Sequence, residues 1–138
     1  MKGRTLSDYL LFAEAWIFLA FARLVLVFVP FRRIANMLGK VMYEVPADLQ
    51  QDPKVLAAVS VAIIRAGARS PWRTKCFEQA IASKIMLRLR GIRTTVYFGI
   101  SKNGPGEMRA HAWLKVNDTI VTGGPDISQF TIVSWFGS

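Results

Sequence analysis

The chain has 138 residues, 52% of them hydrophobic, and carries a formal charge of +9 from 18 Lys and Arg against 9 Asp and Glu. That length and apolar content suit one compact unit with a real core, and the charge favours an acidic or anionic partner. Aromatic-basic interleaving and zinc-finger or RNA-recognition signatures are absent, so no nucleic acid is expected as a partner.

The first element is an apolar run from Tyr9 to Pro30, YLLFAEAWIFLAFARLVLVFVP, which is long enough to cross a bilayer. Glu14 and Arg23 interrupt it, and each charge near the centre of a spanning helix costs about 2.5–3.5 kcal/mol. Glu14 also breaks the apolar stretch a secretory signal needs. The run therefore reads as a helix apolar on most sides, covered by the rest of the domain or by a partner protein. The other reading is peripheral membrane contact through residues 9–38, aided by the basic residues. Pro30 ends or kinks the helix. FRRIANMLG then forms an amphipathic turn, with Phe31, Ile34, Met37 and Leu38 on one side, Arg32 and Arg33 exposed, and Gly39 as the stop.

A polar connector, EVPADLQQDP, separates this apolar helical segment (residues 1–45) from the remaining core (residues 52–138). Asp52 and Pro53 open a helix whose Val55, Val59, Ala62 and Ile63 share a face, and Gly67 is expected to close it. After a turn at Ser70-Pro71 another helix runs toward Gly91, with Thr74 as the expected cap. Phe77, Ile81, Ile85 and Leu89 repeat every four residues along it and predict the core face. Beyond Gly91 the period becomes two. Val96, Phe98 and Ile100 mark one strand, MRAHAWLKV a second and TIVTG a third, and ISQFTIVSWFGS offers a short strand or an apolar tail. The fold class is α+β, with N-terminal helices packed on a small antiparallel sheet.

The chain holds one cysteine and one histidine. An intramolecular disulfide, a multi-thiolate metal site and a His-rich metal site are thereby excluded, no cofactor is expected, and a reducing, cytoplasmic compartment is the simplest home. A thiol is a useful nucleophile when partly ionised, which the positive end of a helix dipole and nearby cations favour. Cys76 is placed at a helix start, with Arg73 and Lys75 just before it. The N–H groups of that first turn are natural donors to an oxyanion. His111, on a strand, is the one imidazole that could serve as base. If Asn117-Asp118 closes a two-residue hairpin, paired residue numbers sum to 235, so Asp126 lies on the histidine's face one diagonal step away and becomes the candidate third member. Plainer roles stand beside these: Cys76 as a small core residue, His111 as a satisfied strand residue, and Asp126 as a turn cap or a surface partner of Arg109.

The run CFEQAIASKIMLRLRGI, a strand ending in FGI and then AHAWLKVND resemble the transglutaminase-like cysteine peptidases of lasso-peptide biosynthesis. The preceding PFRRIANMLG is similar to the family's short stand-alone peptidase subunits, so the resemblance covers almost the whole chain. It implies a papain-like or transglutaminase-like fold and leader removal from a ribosomally made precursor by a Cys-His-Asp triad. Carried over by position, Cys76 is the nucleophile and His111 the general base and acid, and Asp126 follows by inference from the hairpin. The implied partners are the precursor peptide, a separate leader-recognition protein and an ATP-dependent macrolactam cyclase. From Arg65 to Arg93 basic residues face Glu78 alone among acids, a surface suited to an acidic leader or the recognition protein, or simply a solvated helix face. Acyl transfer of the transglutaminase or amidase type, and a non-catalytic scaffold at the membrane, are the competing functions.

Overall fold

The computed structural model describes residues 5–42, 53–71, 75–102, 108–117, 119–123 and 130–138. The chain is an α+β fold in which N-terminal helices pack against a small antiparallel sheet. Helix α1 spans Leu6–Phe28. A capping box starts it: Thr5 Oγ1 accepts from the Asp8 amide at 3.2 Å while the Thr5 amide donates to Asp8 Oδ2 at 3.0 Å. Pro30 then sits as the N-cap of α2, Phe31–Leu38. In α2, Ile34 and Leu38 are buried, whereas Met37, expected on the same side, is 62% exposed.

Helix α3, Pro53–Ala68, buries Leu56, Val59, Ala62, Ile63 and Ala66. Gly67 does not stop it as expected. The final turn is held instead by Ser70, whose Oγ donates to the Ala66 carbonyl at 2.7 Å, and by the Arg69 amide, which donates to the same oxygen.

Helix α4, Cys76–Leu89, occupies the middle of the molecule. Lys75 is its N-cap, and Thr74, expected there, lies outside the described residues. Helices α1 and α3 pack on one part of α4, and the strands described next on another. A single apolar stripe therefore misstates its burial. Glu78, Ala80, Ala82, Ser83, Lys84, Met86 and Leu87 are buried, Phe77 and Ile81 are partly buried, and Leu89, expected in the core, is 66% exposed.

The sheet contains β1 (Lys40–Val41), β2 (Thr95–Lys102), β3 (Met108–Val116), β4 (Thr119–Thr122) and β5 (Thr131–Gly137), ordered β1-β5-β2-β3-β4 with antiparallel pairing throughout. The final segment is thus an interior strand, closed beyond its end by mutual Thr94–Ser138 backbone hydrogen bonds of 3.1 Å. Val96, Phe98, Ala112, Leu114 and Val116 turn toward the helices and join one core with Leu19, Ile63, Met86 and Leu87. Phe77 of α4 stacks on Phe98 at 5.5 Å, fixing which face the helix covers. Side chains alternate along a strand, so His111, Trp113 and Lys115 belong to the other face together with Tyr97.

Two bulges disturb the ladder on either side of this region. One lies where β2 meets β5, between Phe98 and Gly99, and the other where β3 meets β4, between Leu114 and Lys115. The second corrects the expected hairpin register. Val116↔Thr119 and Lys115↔Ile120 keep the predicted sum, but Leu114 pairs with Thr122, because Val121 is the extra residue.

Candidate active site

Cys76 is the first residue of α4 and is partly buried against the core from the helical side. Lys75 caps the helix with extended backbone and no side-chain hydrogen bond, and its carbonyl accepts from the Gln79 amide at 2.9 Å to begin the ladder. The cap residue thus takes up none of the first-turn N–H groups, which gather the positive end of the helix dipole at the thiol. Two buried or half-buried ions stand just behind it. Glu78, 2% exposed, lies 3.5 Å from Arg23 of α1, a carboxylate that also complements the dipole.

His111 is half-buried on β3, opposite Gly99 of β2. Its Nε2 lies 2.8 Å from the Gly123 carbonyl oxygen. A carbonyl only accepts, so Nε2 carries the proton and Nδ1 of the neutral ring keeps the lone pair that a base needs. The ring stacks on Phe130 at 4.9 Å and on Trp113 at 5.9 Å, and Trp113 in turn stacks on Tyr97 at 5.7 Å. Lys115 Nζ lies 5.9 Å over the Tyr97 ring and ends this aromatic row. Gly99 makes room for it. A Cβ there would come within 3.0 Å of both Phe130 and the Trp113 ring.

Among the described residues no hydrogen bond joins Cys76 to His111. The structure brings His111 to Gly123, Phe130 and Trp113, and Cys76 to the head of α4. Asp126, the expected third member, lies outside the described residues, and the register argument for it no longer holds once Val121 is bulged. Gly123, Gly99 and Phe130 were not singled out from sequence; the Gly-Gly-Pro run after β4 was the one signal, since Gly123 adopts φ +75°. Among the described residues no group of three or more His, Cys, Asp or Glu could hold a metal.

Lys84 is the other unusual ionisable group. It is buried on α4 and donates to the Thr94 carbonyl at 3.0 Å and to Thr94 Oγ1 at 2.8 Å. Burial, then the neighbouring Arg88 and Arg93 charges, bring its pKa down to about 8. It faces the groove between α1, α2 and α4, remote in kind from the thiol chemistry.

An apolar helix bundle on an antiparallel sheet, with a cysteine heading the central helix and a histidine on a sheet strand, is an α+β architecture that offers a thiol and an imidazole from separate elements. A family model described as the Transglutaminase-like superfamily matches residues 18–134, and the chain belongs to that superfamily. No curated protein and no solved structure matches the chain.

Proposed function

We propose that the chain is a cysteine peptidase that removes the leader from a lasso-peptide precursor in the cytoplasm, acting with a separate leader-recognition protein ahead of a macrolactam cyclase. The observation that carries this reading is the position of Cys76 as the first residue of α4, at the positive end of the helix dipole and beside first-turn amides that no cap side chain takes up. Superfamily membership and the sequence resemblance around Cys76 and Ala110-His111-Ala112-Trp113 support it.

In this mechanism Sγ of Cys76 attacks the carbonyl carbon of the bond between leader and core, and the developing oxyanion meets first-turn N–H groups. His111 takes the thiol proton on Nδ1 and gives it to the departing amine as the C–N bond breaks. Water, deprotonated by the same nitrogen, then hydrolyses the thioester and regenerates the thiol. His111 stands on the sheet face away from α4 and bonds the Gly123 carbonyl, so this reading requires a rearrangement that brings Nδ1 to Sγ when substrate binds. Asp126 serves in this reading as the acid that steadies the imidazolium.

Precursor incubated with the protein and the recognition protein, followed by mass spectrometry, tests the reading. Two fragments are expected, and none from Cys76→Ala or His111→Ala; cleavage that survives Cys76→Ala overturns it. A single heavier product would instead establish the acyl-transfer chemistry after which the superfamily is named.

A further inference from the structure

Both charges that interrupt α1 are taken up by partners at α4. Glu14 meets Arg90 at 2.7 and 2.9 Å, and Arg23 pairs with Glu78. What remains on the outer side carries no charge between Tyr9 and Phe28, and Leu10, Ile17, Phe21, Leu24, Val27 and Phe28 are 44–76% exposed. A helix of 23 residues is about 34 Å long, so this is a continuous apolar stripe rather than scattered residues. At its far end Arg32 and Arg33 are exposed on α2, only a few residues past Phe28. Phe21 and Met37 carry the apolar surface into a groove that Lys84 and Arg88 also line.

We propose that the outer face of α1 docks in the plane of an anionic lipid surface, with Arg32 and Arg33 on the headgroups. The inference does not depend on the peptidase reading. An apolar face bordered by cations matches the chemistry of that surface on both counts. A protein partner would find almost no hydrogen-bonding groups on the stripe, although protein interfaces carry about one hydrogen bond per 100–200 Å². A second copy would bring a like charge of +9. Length and composition would let α1 cross a membrane, but Ala15, Leu19, Ala22 and Val25 are buried against the domain. Spanning would strip them from it and leave Glu14 and Arg23 in hydrocarbon without their partners.

Flotation of the full chain with vesicles of phosphatidylcholine, with or without phosphatidylglycerol, tests the proposal. The protein is expected to float with the anionic vesicles and to be released by high salt in large part. Ile17→Glu combined with Leu24→Glu, both at exposed positions, should abolish flotation while leaving the circular dichroism unchanged. Arg32→Gln with Arg33→Gln should weaken binding to anionic vesicles by about 30-fold. Quenching of tryptophan fluorescence by brominated lipid should fall in Trp16→Phe. Absence of flotation, as a protein-docking face would give, overturns the proposal. So does undiminished flotation of the double glutamate variant, or binding that resists alkaline carbonate, which marks a spanning helix.

Discussion

Arg90 grips both carboxylate oxygens of Glu14, at 2.7 and 2.9 Å, and joins the end of α4 to the middle of α1. The same guanidinium donates to the Met86 carbonyl at 2.8 Å, and the Glu14 hydrogen bond holds Arg90 above its ordinary pKa. Bidentate geometry makes this pair stronger than a typical surface contact, but both side chains are about a third exposed, so solvent screens it. Arg90→Ala should cost about 1 kcal/mol in urea unfolding, and Glu14→Gln a similar amount. The double variant should lose less than the sum, which a double-mutant cycle measures.

Lys84 gives a pH signature. Its folded pKa is about 8 against an ordinary 10.5, so between those values the unfolded chain binds more protons. Stability therefore rises as pH increases through that window, and below pH 8 the buried ammonium carries its full desolvation cost. The difference in unfolding free energy between wild type and Lys84→Met should shift toward the wild type by roughly 3 kcal/mol from pH 7 to above pH 10.5. A difference that stays flat across this range would contradict a Lys84 whose pKa is lowered by burial.

Gly123→Ala should destabilise the protein by about 3 kcal/mol. Its φ of +75° disfavours a side chain, and a Cβ would collide with the Ala112 carbonyl oxygen. The displaced residue also carries the oxygen that fixes the His111 tautomer, so any cleavage activity should fall further than the stability loss explains. A pH-rate profile compared with thermal melting separates the two effects.

Gly99→Ala tests the aromatic row at lower cost to the backbone, because Gly99 has no left-handed conformation to lose. The added methyl must push Phe130 or Trp113 by a few tenths of an ångström. Melting should change by less than in Gly123→Ala, while the histidine ring resonances in NMR shift clearly. Unmoved ring resonances would mean that Gly99 does not position His111.

Much of this arrangement is written in local pattern. MRAHAWLKV reads as β3 residue for residue, because small or apolar residues alternate with larger polar ones. The start of α4 near Cys76 and the strand position of His111 were legible for the same reason. The failures arise where neighbours decide. Leu89 fits a helical stripe, yet it lies beyond the elements that cover α4, while Lys84 and Glu78 are buried because partners from other elements meet them. The two-residue β1 has no periodicity to detect. The bulge at Val121 shifts the register between β3 and β4, and the partner of the His111 ring is a backbone carbonyl, which no side-chain pattern announces.

The insertion of β5 between β1 and β2 ties the order of assembly to the order of the sequence. Until residues 131–137 are present, β2 exposes an unpaired edge and the stub after α2 has nothing to join, so only the hairpin half of the sheet can form. Pairings that span so much chain close slowly. A growing chain halted before Thr131 would hold its catalytic candidates on an unfinished scaffold, open to protease attack and to wrong strand partners.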